Sequence, residues 1–187
     1  MTGYVPGLGE LVFQLEKAII VAIQERRPEL LFLHAAALER NQAAWLFVGE
    51  SGAGKSTTAW GLLHHGFSYL SDELAPIDLD TLEVFPYPHA LCLKRRPPPP
   101  YLLPDESLDL GRTIHVPARY LPSVSRLDAC ALQAVFFVSL DAPRRDPVLR
   151  RVSTAEAAAR LYVSTLNALA HEARGLDAVL KVASHVS

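Results

Sequence analysis

The stretch Gly49-Glu50-Ser51-Gly52-Ala53-Gly54-Lys55-Ser56 is the strongest structural signal in this chain. It fits the pattern of a glycine, any four residues and then Gly-Lys-Ser, which is typical of loops that bind nucleotide phosphates. Glycine lets the main chain approach phosphate oxygens closely and adopt positive φ, so that backbone N–H groups can surround them. Lys55 supplies a charge for the outer phosphates, and the Ser56 hydroxyl is a ligand for the accompanying Mg²⁺.

The residues on both sides of this stretch predict the strand and the helix that such a loop requires. Residues 44–48 are almost all apolar, which indicates a buried strand. Residues 54–65 have apolar side chains at helical spacing, and Gly66 stands where a helix C-cap is expected. Bound phosphates would face the positive end of the helix dipole. The predicted nucleotide-binding residues are Gly49, Ser51, Gly52, Ala53, Gly54, Lys55, Ser56 and Thr57.

Composition limits the class of protein. The chain has 187 residues and is 50% hydrophobic, which predicts a single domain over residues 1–187 with a substantial core. The formal net charge of −2 provides no global positive field, so we expect no nucleic-acid partner. No secretory signal opens the chain and no apolar run is long enough to span a membrane, which predicts a cytoplasmic protein without a membrane span. The sequence leaves open whether the chain forms a homo-oligomer.

The pattern of apolar residues predicts an α/β arrangement. Residues 1–29 are predicted to form an N-terminal helical segment that packs on the protein, with contact to a membrane surface as the alternative. Ser153 and Glu156 form a capping box for a last helix that includes Leu169. Cys92 and Cys130 lack metal-site spacing and are expected to be small core residues. Strands are predicted over residues 30–38, 44–48, 67–70, 77–80, 82–85, 90–94, 131–140 and 147–152, the last two joined by a turn over 141–146.

Proline dominates the segment from residue 95 to residue 125. Four consecutive prolines occupy 97–100, and further prolines stand at 104, 117 and 122. Because proline cannot donate to a sheet ladder and breaks helices, this Pro-rich segment is predicted to be mostly loop. Two interpretations remain open: a mobile substrate lid, or an inert connection stiffened by polyproline II structure.

An acidic pair follows the predicted strand over residues 67–70. A strand directly after the loop helix commonly lies beside the loop strand, which would bring Asp72 within reach of Ser56 and the γ-phosphate. Successive side chains on a strand point to opposite faces, so only one of Asp72 and Glu73 should face the nucleotide unless the strand has ended. Asp72 is the favoured residue, and a solvated acidic turn is the alternative. The predicted metal ligands are Ser56, Asp72 and Glu73.

The candidate catalytic residues are Asp72, His34 and Lys55. A single histidine in an apolar strand is more often a satisfied core residue than a catalytic one, and the residues alone do not separate these two interpretations for His34. Positive charge for phosphates could come from several further side chains, among which the sequence does not choose. These are Lys94, Arg95, Arg96, Arg112 and Arg119.

Residues 34–94 resemble the catalytic domain of HPr kinase/phosphorylase and the wider group of HPr kinase-like proteins. The features that carry the resemblance are His34, the loop over 49–56, Gly66-Phe67 at the start of the next strand, and the pair Asp72-Glu73, in this order. The resemblance implies a P-loop-containing α/β fold with a mixed sheet and flanking helices, related to that of ATP-dependent phosphoenolpyruvate carboxykinase.

The same resemblance implies an activity. It is that of an ATP- and Mg²⁺-dependent kinase that phosphorylates a Ser or Thr hydroxyl of a protein or peptide, with Asp72 as general base and His34 near it. Shorter members accompany peptide natural-product pathways, which implies a precursor peptide as one acceptor. A Pro-rich segment follows Lys94 in place of the family's glycine-rich arginine loop, which argues against phosphorylase activity and against HPr as acceptor. The alternatives are a small-molecule kinase and a regulatory nucleotide-binding module without transfer.

Overall fold

The structure is a computed structural model, and it describes residues 8–140 and 146–186. The helices within this part of the chain are α1 (Leu8–Arg26), α2 (Lys55–Leu63), α3 (Thr154–Val163) and α4 (Leu176–His185). The strands are β1 (Leu30–Leu33), β2 (Ala35–Arg40), β3 (Ala43–Val48), β4 (Ser68–Ser71), β5 (Ala75–Asp78), β6 (Glu83–Val84), β7 (Leu91–Leu93), β8 (Leu108–Asp109), β9 (Ile114–Val116) and β10 (Cys130–Phe137).

Two sheets organise the described residues. The larger one has the order β1-β5-β6-β10-β3-β2-β4, and the smaller one has the order β7-β9-β8. Within the larger sheet β3 and β10 are parallel, with Leu46 opposite Val135, whereas the other paired strands are antiparallel. The chain is therefore a mixed α/β structure with flanking helices, and this level of the fold prediction is confirmed.

The larger sheet is strongly curled, and His34 is the reason. The predicted strand over residues 30–38 is interrupted there: β1 pairs with β5, whereas β2 pairs with β3 and β4. Because one residue bridges at most about 7 Å of extended chain between its neighbours, β1 and β2 must be close although they occupy distant places in the strand order. The sheet curls so that its β1 edge approaches β2.

Helices cover the two faces of this sheet. The small and aliphatic side chains on one face, such as Leu46, pack against Leu161 of α3 and Val179 of α4. On the other face Phe47 packs with Trp60 of α2. Since alternate residues of β3 are buried on opposite sides, this strand is covered on both faces, as the apolar run before the loop predicts.

Both edges of the larger sheet are covered by irregular chain. At β4, the Tyr69 N–H donates to the Ser123 carbonyl and the Tyr69 carbonyl accepts from the Ser125 N–H, both at 2.9 Å. At β1, the buried Asn167 side chain takes the place of a strand. Its Oδ1 accepts from the Phe32 N–H and its Nδ2 donates to the Leu30 carbonyl, both at 2.9 Å.

Two predicted features near the C-terminus are wrong. The last predicted helix ends at Val163, because residues 164–166 leave it to bind the sheet edge, where the Leu166 N–H donates to the Phe32 carbonyl. Ser153 does cap it, accepting from the Glu156 N–H, and α4 was not predicted. Residues 147–152 form no strand; they are mostly exposed and pair with no strand of the described residues. The predicted turn lies largely outside the described residues, since 141–145 are not among them.

The strands after β4 are shifted from their predicted positions. β5 ends at Asp78, whose Oδ1 accepts from the Asp80 and Thr81 N–H groups at 2.7 and 2.8 Å. These bonds form a turn that competes with continuation of the strand. β6 is then reduced to Glu83–Val84.

The Pro-rich segment is mostly irregular, as predicted, but it also contributes β8, β9 and a 3₁₀ turn at Ala118–Tyr120. β9 pairs with β7 through Ile114 and Val116, which lie between the prolines and can donate to a ladder. Tyr101 fastens the segment to α2, since its carbonyl accepts from Trp60 Nε1 at 3.0 Å and its hydroxyl bonds His65 at 2.7 Å.

The N-terminal helix α1 packs through Ile20 and Ile23 against a small cluster that includes Phe32 and Tyr87. This agrees with the predicted packing helix, of which residues 1–7 lie outside the described part. Within residues 8–140 and 146–186, no helix combines the length and apolar character needed to cross a membrane.

We expect Asn167→Ala to lower the free energy of unfolding by about 2–4 kcal/mol, because a buried N–H and a buried carbonyl of β1 would lose their partners. Urea unfolding checks this. Gln14→Ala, which removes an exposed amide on α1, is the control and should change stability by less than about 0.5 kcal/mol. A loss no larger than the control's would show that the amide does not hold the edge.

Candidate active site

The topology gathers the predicted site residues at one edge of the larger sheet. β4 runs antiparallel to β2, and β2 runs antiparallel to β3, so the carboxyl ends of β3 and β4 lie on the same side. The glycine loop (residues 49–54) follows β3 and leads into α2, as predicted, and Asp72 follows β4. His34 precedes β2 at that same side. The strand that carries Asp72 is thus separated from β3 by β2, and the prediction that the two strands are neighbours is wrong.

The conformation of the glycine loop requires residues without a Cβ at positions 49 and 54. A Cβ on Gly49 would stand 2.5 Å from the Val138 carbonyl oxygen, because β10 passes directly beside the loop. Gly54 has φ of 102° and caps α2 without a side-chain hydrogen bond. No acidic residue lies in the first turn of α2. The helix therefore presents its first N–H groups and its positive dipole end without a competing anion from its own first turn.

Lys55 lies inside the loop. It is 6% exposed, and its Nζ donates to the carbonyls of Gly49 at 2.8 Å and of Glu50 at 3.2 Å. Burial lowers the pKa of this ammonium group, and the nearby charge of Asp72 opposes that shift. The Lys55 ammonium group is thus held at the loop by two carbonyl oxygens. An incoming anion can replace these carbonyls as the hydrogen-bond acceptors.

Asp72 is fully buried beside the start of α2. Its carboxylate accepts from the Ser56 hydroxyl and from the Cys92 N–H, both at 3.1 Å. His89 Nε2 donates to the backbone carbonyl of the same residue. Burial raises the pKa of Asp72 from 3.8 to about 6, while the Cys92 N–H and the Ser56 hydroxyl act in the opposite direction. A carboxylate with this pKa is mostly ionised at pH 7.5 and more basic than an ordinary aspartate.

Glu73 differs from its neighbour. β4 ends at Ser71, and Glu73 has φ of 71° and an exposed side chain. The alternation expected within a strand therefore does not apply, because the strand has ended before the acidic pair. Glu73 still acts electrostatically on the site, since its charge opposes the lowering of the pKa that burial causes at both Lys55 and His34.

His34 is half-buried at the bend between β1 and β2, and its backbone N–H donates to the Ser164 carbonyl at 2.8 Å. Burial lowers the pKa of its imidazole, and the charge of Lys55 lowers it further. The ring is thus neutral at physiological pH and lies within electrostatic range of Lys55 and Glu73. The structure places His34 near Lys55 and Glu73, and the role of His34 as a site residue stays a prediction.

Sequence reasoning missed or left undecided three contributors from the chain around β7. These are the Cys92 N–H and the His89 ring, which bind Asp72, and Lys94, whose Nζ donates to Ser51 Oγ at 2.7 Å. A backbone donor leaves no trace in side-chain identity, so Cys92 could not have been found from its residue type. Its thiol lies 3.3 Å from His115 Nδ1, and burial raises the pKa of that thiol. Cys130, by contrast, is buried in the core, as predicted.

Two of the other candidate cations are engaged elsewhere. Arg96 lies 3.9 Å from Asp109 of β8, and Arg119 stacks over the Tyr120 ring with its guanidinium carbon 4.8 Å from the ring centroid. Of the five basic residues considered from sequence, Lys94 is thus the one for which the structure gives a contact with the glycine loop.

A separate groove of about 1080 Å³ lies between β10, α3, α4 and residues 146–152. Two of its arginines have partners: Arg150 and Arg160 both bind Glu156 at 2.7 Å, and Arg160 also lies over Phe137. None of the residues of the glycine loop lines this groove.

The residues at the glycine loop fit a nucleotide phosphate with Mg²⁺. The Ser56 hydroxyl and the Asp72 carboxylate are hard oxygen ligands 3.1 Å apart, and Mg²⁺ commonly binds through one or two such protein oxygens while it keeps several waters. A cation there would also favour the ionised form of the buried Asp72. The backbone N–H groups at the start of α2 and the Lys55 ammonium suit the phosphate oxygens.

We expect Gly49→Ala to lower the free energy of unfolding by about 2 kcal/mol or more, because the added methyl group would push the glycine loop away from the Val138 carbonyl. Gly61→Ala on α2 is the matched control. A Cβ there meets nothing within 4 Å, and the change should stabilise the protein by about 0.5–1 kcal/mol. Urea unfolding of both variants measures the difference, and equal effects would contradict the close approach of β10.

The burial of Asp72 predicts a pH-dependent stability. A pKa of about 6 in the folded state, against 3.8 ordinarily, corresponds to about 3 kcal/mol. The folded state binds the proton more tightly, so this stability is present below about pH 4 and is lost as pH rises through about 6. Asp72→Asn should therefore gain in melting temperature relative to the natural protein between pH 4 and pH 8. Asp80→Asn, at an exposed position, should show no such trend; a pH-independent difference for Asp72→Asn would refute the burial cost.

Among the solved structures that match this chain is a bacterial kinase/phosphatase. No family model matches the chain, and no curated protein matches it. The HPr(Ser) kinase/phosphatase from Coxiella burnetii aligns with a TM-score of 0.36 and 19% sequence identity. The alignment covers 64% of this chain and 65% of that chain, and the likeness is a distant one.

Proposed function

We propose that this protein is an ATP- and Mg²⁺-dependent kinase that transfers the γ-phosphate to a Ser or Thr hydroxyl of a protein or peptide. The observation that carries the proposal is the hydrogen bond between Ser56 and Asp72 at the glycine loop. It places a buried carboxylate of raised pKa at the N-terminal end of the helix that follows a Gly-Lys-Ser loop. A phosphate cradle and a proton acceptor are the two parts that phosphoryl transfer needs from the protein.

Phosphate binding falls to the loop and the start of α2. The backbone N–H groups after Gly54 lack a side-chain cap, so they are suited to donate to phosphate oxygens. Lys55 exchanges its bonds to the Gly49 and Glu50 carbonyls for bonds to the outer phosphates. Because the ammonium group is already buried at this position, it needs little reorganisation to meet the anion.

Asp72 acts as the general base. As the acceptor oxygen attacks the γ-phosphorus, its proton passes to the Asp72 carboxylate, the bond between the γ-phosphorus and the bridging oxygen breaks, and ADP leaves with the electron pair. Mg²⁺, held by the Ser56 and Asp72 oxygens, would supply charge neutralisation for the phosphates. The neutral His34 ring can donate or accept a hydrogen bond there without adding charge. The Cys92 N–H keeps the carboxylate oriented.

A protein or peptide acceptor suits the openness of the site. Ser51, Glu73 and Lys94 are all exposed around the glycine loop, so a side chain carried by a large partner can reach this edge of the sheet. Glu73 and Lys94 provide charges of both signs beside the loop, which can orient a polar peptide.

The test uses γ-labelled ATP, Mg²⁺ and a peptide pool rich in Ser and Thr. We expect label on a peptide hydroxyl, loss of that label when the metal is chelated, and a division of roles between two variants. Lys55→Ala should weaken ATP binding by about tenfold or more, whereas Asp72→Asn should keep binding within a fewfold and lose transfer by at least about a hundredfold.

Lys17→Ala and Asp80→Asn change exposed residues of the same types and should leave both binding and transfer unchanged. Equal loss of binding in Lys55→Ala and Asp72→Asn would reject the assigned roles. Label transferred to small metabolites and to no peptide would favour a small-molecule kinase, and binding without any transfer would favour a regulatory module.

A further inference from the structure

Lys94 reaches the glycine loop from the smaller sheet. It follows β7, and its Nζ donates to Ser51 Oγ at 2.7 Å. The same nitrogen stands 3.7 Å from the point that a Cβ on Gly52 would occupy. The residue is exposed, so its charge lies on the solvent side of the loop, whereas Lys55 lies buried on the inner side. Two ammonium groups therefore bracket the same loop.

The two ammonium groups are close enough to act on each other. The charge of Lys94 lowers the pKa of Lys55 and also that of His34. Within the described residues neither lysine forms an ion pair, although four ion pairs are found elsewhere in that part of the chain. Like charges held together at a helix N-terminus repel, and an anion between them converts the repulsion into attraction.

The contact that holds Lys94 is easily exchanged. Ser51 is an exposed, uncharged hydroxyl, and a bond from an ammonium group to a phosphate oxygen is shorter and stronger than a bond to a neutral hydroxyl. A flexible lysine stem lets the nitrogen move a few ångströms without change in the backbone. β7 itself is fixed, since Leu91 and Leu93 are buried against α2.

We propose that Lys94 is a second phosphate-binding residue. Its Nζ gives up the hydrogen bond to Ser51 and binds the outermost phosphate of a triphosphate held in the glycine loop. This inference rests on the proposed function and adds to it a source of nucleotide selectivity. The Lys94 Nζ contacts Ser51 and stands beside Gly52, on the exposed side of the glycine loop from which an acceptor would approach. A diphosphate lacks the outermost phosphate that Lys94 would bind, so it gains less binding energy from this residue than a triphosphate does. Lys94 therefore favours ATP over ADP.

The experiment measures binding by calorimetry, in the presence of Mg²⁺, for ATP, ADP and inorganic tripolyphosphate. Lys94→Gln removes the charge, and Arg95→Gln removes a charge from the next, exposed residue. We expect Lys94→Gln to weaken ATP and tripolyphosphate about tenfold or more and ADP clearly less. Arg95→Gln should leave all three affinities within about twofold, because among the described residues the structure gives the loop contact to Lys94 and none to Arg95, whose exposed charge is screened.

The outcomes separate this inference from the kinase itself. Equal effects of Lys94→Gln and Arg95→Gln, with unchanged phosphate transfer to peptide, would overturn the role of Lys94 and leave the kinase standing. Equal weakening of ATP and ADP would overturn its assignment to the outermost phosphate. If nucleotide binding depends on Lys94 but no phosphate is transferred to an acceptor, the role of Lys94 is supported and the proposed kinase activity is wrong. If neither ATP nor tripolyphosphate binds the natural protein, both proposals are wrong.

Discussion

Only His34 separates β1 from β2, although the two strands pair with opposite parts of the larger sheet. This short link forces the sheet to curl, and the curl arranges everything at its functional edge. β1 leads directly into His34, β3 into the glycine loop and β4 into Asp72. If the link were longer, β1 could lie flat at the far edge of the sheet, and the histidine would have no reason to be near Lys55. Three short chain segments therefore meet at the site, and the chain around β7 adds a fourth.

The same arrangement buries a carboxylate, which is costly for the folded protein. Asp72 has no exposed surface, and its pKa is raised to about 6 because water cannot reach it. Three neighbours limit this cost: the Cys92 N–H and the Ser56 hydroxyl donate to the carboxylate, and His89 acts on it electrostatically. Asp72 accepts two hydrogen bonds but has no cationic partner within ion-pair distance among the described residues. Its protonated form is therefore favoured more than that of an exposed aspartate. A buried carboxylate of this kind is typical of functional sites. The free energy of unfolding is lower there than it would be with an apolar residue at the same position.

The sequence predicts much of this site because its signals are local. A Gly-Lys-Ser stretch between an apolar run and a helical pattern needs no tertiary information, and β3 and α2 are found where they are predicted. The pairing of strands is a long-range property, and there the prediction fails: β2 intervenes between β3 and β4. Asp72 still meets Ser56, because two antiparallel steps restore a parallel direction. The apolar periodicity also did not predict that the helix ends at Val163. The residues that follow leave the helix because they bind the β1 edge, which is a long-range contact.

The smaller sheet has a clear physical role even though proline hides it in the sequence. β9 and β7 pair across a segment that composition marks as loop. β7 and the residue after it then supply two contacts: the N–H of Cys92 within the strand binds Asp72, and Lys94 directly after the strand binds Ser51. The chain around β7 thus connects Asp72 to the glycine loop. Because Leu91 and Leu93 are buried against α2, β7 holds Asp72 and the glycine loop at a fixed separation.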